Sequence, residues 1–197
     1  KIGALKALAN KADKILIAGV LANTFLKAKG IGIGSSKFDE ETFNAANEII
    51  ELAGDKLKLP IDFVVADKFD NNSNKRTVAA DNIPEAWMAL DIGPETIESY
   101  KNELKDAKTV FWAGPLGVFE MENFSSGTRE IGEFLGNLNA VKIAGGGDTG
   151  AAINTFTLAD KMTHVSTGGG ASLEFIEKEG RLPALVALER AYRKDKE

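Results

Sequence analysis

The sequence predicts an α/β fold with a mostly parallel sheet. Three observations carry this. Short apolar runs rich in β-branched and aromatic residues recur along the chain, separated by stretches of helical period. The runs do not alternate apolar with polar residues, which suits parallel strands covered on both faces. Several end in glycine-rich turns that lead into the next helix.

Taken in order, the expected strands are Ile15-Leu16-Ile17-Ala18, Phe63-Val64-Val65-Ala66, Val110-Phe111-Trp112-Ala113, Val141-Lys142-Ile143-Ala144 and His164-Val165-Ser166. Asp39 to Leu57 sets Phe43, Ala46, Ile50, Ala53 and Leu57 on one stripe, with Asp39 as the cap. Lys68 to Ile83 is polar and turn-rich, a loop or a small β excursion. Pro94 suits the first position of a helix running to about Ala107. Gly127 to Leu138 and Ala171 to Glu179 are further helices. The charge run from Glu189 to Glu197 reads as a solvated helix end. No linker, low-complexity tract or strict repeat divides the chain, so residues 1–197 are expected to form one domain.

A chain of 197 residues can bury about 70% of its unfolded surface, enough for a core without staples. Hydrophobic content of 44% and charged content of 27% exclude a disordered or fibrous protein. The absence of cysteine excludes a disulfide framework, a thiolate zinc site and a cysteine nucleophile, and fits a reducing, cytoplasmic setting. Net charge is −5 and the basic residues are scattered, so no nucleic-acid partner is expected. No apolar run approaches a membrane span. The chain opens Lys1-Ile2-Gly3 and its first methionine is Met88, so it is read as a fragment.

The placement of the 20 glycines is the most informative feature. Ile17-Ala18-Gly19, Trp112-Ala113-Gly114 and Ile143-Ala144-Gly145 are strands ending in Ala-Gly, and a fourth ends in Ser166-Thr167-Gly168-Gly169-Gly170. In an open parallel sheet such loops share the carboxyl edge, where ligands bind. Glycine lets backbone approach a ligand closely, and helix N-termini offer unpaired N–H groups to phosphate. One such loop alone reads as a tight turn. Two triple-glycine loops about twenty residues apart favour a phosphate site.

There is no Walker A loop. Gly145-x-Gly147-x-x-Gly150 matches the dinucleotide pattern in letters, but the next strand ends without the acid that would hold a ribose, and the motif comes late in the chain. Asp148 has two readings: a helix cap, or a carboxylate facing a magnesium ion carried by a nucleotide phosphate. Glu120, closing Gly114-Pro115-Leu116-Gly117-Val118-Phe119-Glu120, either accepts ribose hydroxyls or is a solvated turn residue. His164, the one histidine, has no visible partner cluster and reads as structural rather than as a base.

Trp112 to Glu120, Gly145-Gly146-Gly147-Asp148-Thr149 and the run from His164 to Glu174 resemble phosphoglycerate kinase, as does Trp87-Met88-Ala89-Leu90-Asp91-Ile92-Gly93-Pro94-Glu95. The likeness covers nearly all of this chain and only the C-terminal, nucleotide-binding half of that enzyme. It implies a Rossmann-like three-layer domain with a sheet of about six strands, mostly parallel, binding MgADP or MgATP. It implies a glycolytic kinase that moves a phosphoryl group between 1,3-bisphosphoglycerate and ADP, a monomer, whose N-terminal lobe carries 3-phosphoglycerate. Lys1 resembles the lysine that reaches the nucleotide phosphates. Gly19, Leu90, Gly117 and Val118 match positions lining the adenine pocket, and Glu120 the ribose-binding glutamate. Gly145, Gly146, Gly147, Asp148 and Thr149 match the phosphate loop, with Asp148 on the magnesium. Gly168, Gly169 and Gly170 match the helix start facing the transferred group.

Three positions depart from the family. Ala113 stands where asparagine is common, Val20 where a second glycine is, and Lys37 near a usually apolar position. The isolated half is expected to be inactive. The alternative is a free-standing nucleotide-binding module without catalysis.

Overall fold

The computed structural model describes residues 2–194. Helix α1 spans Ile2–Lys11, strand β1 Ile15–Leu16, α2 Gly19–Ala28, α3 Glu40–Ala53 and β2 Leu57–Lys58. Then come β3 Asp62–Ala66, β4 Lys75–Ala79, β5 Met88–Ile92 and α4 Pro94–Leu104. The rest is β6 Thr109–Trp112, α5 Ser126–Asn137, β7 Val141–Gly145, α6 Gly147–Thr155, β8 His164–Ser166, α7 Gly169–Glu177 and α8 Pro183–Lys194. The α/β class holds.

The parallel strands form two ladders. β1 pairs with β2, and β6, β7 and β8 pair in that order. The two ladders hold five parallel strands between them, broadly consistent with the six or so of the family likeness. A third sheet is antiparallel, in the order β4-β3-β5. Phe63 to Ala66 therefore lies in an antiparallel strand, a correction to the parallel reading. Eight residues separate β3 from β4, too few for a parallel crossover, which takes a dozen or more. β3 looked parallel because four of its five residues are buried; burial sets the apolar pattern, and direction does not. The polar stretch from Lys68 to Ile83 does contain a small β excursion, β4. β5 had no counterpart among the expected strands, because Asp91 interrupts its apolar run.

Helices form where the local chemistry asks for them. Asp39 caps α3 by accepting the Thr42 N–H at 2.7 Å. The buried stripe of α3 is Thr42, Ala46, Ile49 and Ala53, one step round from the expected one. Phe43 moves to the flank, where it meets Phe38 edge-on with ring centres 5.9 Å apart. Pro94 opens α4, whose first turn is held by a carboxylate from the sheet: Asp62 accepts the N–H groups of Glu95 and Thr96 at 3.1 and 2.8 Å. Tyr100 of α4 is fully buried and places its hydroxyl 2.6 Å from the Ile17 carbonyl and 3.1 Å from that of Lys58, locking α4 onto the first parallel ladder. Around it Phe25, Ile49, Val65, Ile92, Ile153 and Leu158 form one core between helices and sheets. Each such side chain contributes roughly 1.5–3 kcal/mol by leaving water. Among the described residues no helix is long and apolar enough to cross a membrane.

Candidate functional site

The ladder of β6 and β7 ends at Trp112 and Ala144, and that of β7 and β8 at Gly145 and Ser166. Beyond those ends, four loops touch one another in sequence. A Cβ on Gly19, at the start of α2 with φ +59°, would stand in van der Waals contact with the Pro115 carbonyl. The Gly114 N–H donates to the Thr149 hydroxyl at 2.7 Å, and that hydroxyl donates to the Gly145 carbonyl at 3.0 Å. Gly146 and Gly169 meet backbone to backbone. A Cβ on Gly169 would stand well inside 3 Å of the Gly146 Cα and 3.1 Å from its nitrogen. Gly146 itself has φ +122°, a conformation that only glycine adopts without strain. The triple-glycine runs are thus the packing condition for two turns to lie side by side, and the result is one continuous ledge.

The ledge is lined by helix starts without caps. α2, α6 and α7 each begin with no side-chain hydrogen bond to the first turn, unlike α3. The first intrahelical bonds come from Ala22 N–H to Ala18, Gly150 N–H to Gly146 and Ser172 N–H to Gly168. The N–H groups before these, on Gly19 to Leu21, Gly147 to Thr149 and Gly169 to Ala171, have no partner among the described residues. Such groups, with the positive end of the helix dipole, suit an anion. Nothing lies within 4 Å of where a Cβ of Gly147 or Gly170 would be, so these helix starts face open space.

Asp148 sits in the first turn of α6, exposed, with no hydrogen bond or ion pair to a described residue. It does not cap α6, whose cap position is Gly146. Among the described residues no three His, Cys, Asp or Glu side chains cluster. A magnesium ion here would take one carboxylate from the chain and its other oxygens from phosphate and water, which is the usual manner of that ion. The donor set fits.

On the other side of Gly114 the loop turns over the antiparallel sheet. Val118 N–H donates to the Leu90 carbonyl at 2.8 Å. The Leu90 side chain is buried with Ala66 and Phe124, and Val118 packs against that cluster. Glu120 is exposed at the end of the loop. Lys37 places its ammonium 5.9 Å from the ring centre of Phe69, while its carbonyl accepts the Asn23 side chain at 3.0 Å. Ala113 and Val20 are both exposed on the ledge. His164 starts β8, at the end of the strand away from the ledge. Lys1 lies outside the described residues.

A family profile for phosphoglycerate kinase matches residues 1–179. The chain belongs to the phosphoglycerate kinase family. It is 54% identical over 189 residues to a phosphoglycerate kinase of Limosilactobacillus reuteri and 50% identical over 191 residues to one of Oenococcus oeni. Each alignment covers 95% of this chain and 47% of the relative. The fold matches the phosphoglycerate kinase structure from Coxiella burnetii with a TM-score of 0.88 at 42% identity, covering 94% of this chain and 48% of that one. It matches the phosphoglycerate kinase from Pyrococcus horikoshii with a TM-score of 0.84 at 30% identity, covering 98% of this chain and 49% of that one. The chain spans about half the length of the phosphoglycerate kinases it matches.

The stretches Gly114 to Glu120, Gly145 to Thr149 and Gly168 to Gly170 of the phosphoglycerate kinase motifs thus lie along the ledge and the loop beside it, while Trp87 to Glu95 runs through β5 into the start of α4. Two residues beneath that loop were not singled out in the sequence. Asp91 is buried on β5 and accepts the N–H groups of Ile92 and Gly127 at 2.9 and 2.8 Å. Burial, helped by the nearby Glu130, pushes its carboxyl up to about 7 against the pull of the N–H groups of Gly127, Ile92 and Ser126. Thr128, fully buried, accepts the N–H groups of Leu116 and Gly117 at 2.9 and 3.2 Å. The available signal was a lone carboxylate inside an apolar run, Met88-Ala89-Leu90-Asp91-Ile92.

Proposed function

We propose that this chain forms one nucleotide-binding domain and binds MgADP or MgATP along the ledge, as the nucleotide half of a phosphoglycerate kinase. The observation that supports this most is the pairing of Gly146 with Gly169, which sets the uncapped starts of α6 and α7 side by side. In this reading the N–H groups of Gly147 to Thr149 hold the nucleotide phosphates, with Gly145 and Gly146 shaping the turn. Thr149 contributes its backbone, since its hydroxyl proton is committed to Gly145. Asp148 holds the magnesium, which neutralises phosphate charge and orients the phosphates when bound. Gly169 and Gly170 present N–H groups to the group in transfer, while Gly168, whose own N–H donates to the Ser166 hydroxyl at 3.3 Å, shapes the turn before them. Glu120 accepts the ribose hydroxyls, and Gly19, Leu90, Gly117 and Val118 line the base pocket. The full reaction moves a phosphoryl group between 1,3-bisphosphoglycerate and ADP, with the acceptor held by a partner lobe.

Calorimetric titration of the 197-residue chain with MgADP tests the reading. Saturable binding is expected. No heat at millimolar nucleotide, from a sample with a folded circular dichroism spectrum, overturns it.

A further inference from the structure

We propose that Asp91 and Thr128 are positioning residues for the nucleoside part of the ligand, fixing where Gly117, Val118 and Glu120 stand. The inference rests on the nucleotide reading above and adds a division of labour to it. The loop after β6 has no ladder to hold it, because strand pairing stops at Trp112. Three of its amides are instead pinned from beneath. Leu116 and Gly117 donate to the one Thr128 hydroxyl, and Val118 donates to the carbonyl of Leu90, the residue before Asp91.

Thr128 is itself placed by its neighbour. The Gly127 N–H, in the first turn of α5, donates to the Asp91 carboxylate at 2.8 Å. No side chain within α5 or its cap position makes such a bond, so a strand residue caps this helix from outside. The carboxylate also fills the space under the loop. A Cβ on Gly117 would fall well inside 3 Å of the Asp91 carboxylate and 2.6 Å from the Phe124 carbonyl. A Cβ on Gly127 would meet the same carboxylate group, 3.2 Å from its Cγ. Both glycines are needed for the loop and the helix start to close on one buried acid. No lysine or arginine among the described residues pairs with it, so its partners are the amides alone. Burying an acid this way costs stability. What it does here is join β5, α5 and the loop at a single point.

The ledge from Gly145 to Gly170 shares none of these bonds. Loss of the Asp91–Thr128 support should therefore weaken contacts to the nucleoside and spare those to phosphate. The test compares MgADP with magnesium tripolyphosphate by calorimetric titration on the full chain, using Thr128→Val, Thr128→Ser and Asp91→Asn. Thr128→Val keeps the shape and removes the acceptor. It is expected to weaken MgADP by about five- to a hundredfold, the worth of the two buried hydrogen bonds that the hydroxyl accepts, and to leave tripolyphosphate within about twofold. Thr128→Ser, which keeps the hydroxyl, is expected to restore MgADP binding, and Asp91→Asn to follow Thr128→Val. If Asp91→Asn does not fold, the threonine pair decides. A parallel fall for both ligands, or no change in either, overturns the inference and leaves nucleotide binding standing. Failure of the unsubstituted chain to bind MgADP overturns both.

Discussion

One methyl group tests the closest approach in the ledge. Gly169→Ala places a Cβ well inside 3 Å of the Gly146 Cα, where carbon atoms prefer about 3.5–4.0 Å. The obstacle is backbone on both sides, so no rotamer change relieves it. The start of α7 must move away from α6 by roughly 1 Å or the two turns must distort. Overpacking of this kind costs about 1–3 kcal/mol. Expressed wholly as ligand affinity, that is about five- to a hundredfold. Gly170→Ala is the control, because its Cβ meets nothing within 4 Å. Circular dichroism melting and MgADP titration should show Gly169→Ala losing both thermal midpoint and affinity, while Gly170→Ala loses no stability. Wild-type midpoint and affinity in Gly169→Ala would mean that the two turns do not touch, and the argument for a continuous ledge would fail.

Asp148→Ala should weaken MgADP binding by at least tenfold while metal-free ADP binds as well as before or better, since a repelling carboxylate is gone; titrations with magnesium and with chelator separate this from equal losses in both. The buried acid makes a distinct pH signature. The folded pKa of Asp91, about 7, lies above its ordinary 3.8, so the folded state holds the proton more tightly. Its stabilising contribution is complete below pH 4 and is lost as pH rises to 7, by up to about 4 kcal/mol. Urea unfolding between pH 4.5 and 8 should show the stability difference between wild type and Asp91→Asn shifting in favour of the variant as pH rises; a constant difference would count against it. Finally, the 197 residues alone should show no kinase turnover in a coupled assay. Bringing two reactants into line can supply roughly 7–11 kcal/mol of a barrier, and the proposed site holds one of them; robust turnover would refute the half-enzyme reading.

The parts of the fold that composition governs were legible. The strands around Val110, Val141 and His164, the cap at Asp39 and the helix start at Pro94 all stand where the residues place them. Strand direction was not legible, since Phe63 to Ala66 is as buried in an antiparallel sheet as a parallel strand would be. For the site, the glycine runs announced close backbone contact, but which glycine meets which could not be read, because Gly146 and Gly169 are joined only by folding. The roles of Asp91, quoted only as part of a family-like stretch, and of Thr128 were not legible because their work is done with backbone amides of distant residues, and amides carry no sequence signal.

The loops of the ledge, residues 17–20, 113–120, 145–149 and 166–171, contain no lysine or arginine and two carboxylates, Asp148 and Glu120. Taken by themselves these loops have a negative formal charge, and what they offer an anion is neutral dipoles. A phosphate chain arriving without its counter-ion would gain hydrogen bonds and meet repulsion at once. With magnesium the same surface turns attractive. On the proposed reading these loops respond to the metal as much as to the nucleotide, and chelation should act on them as a discharge, loosening the phosphates.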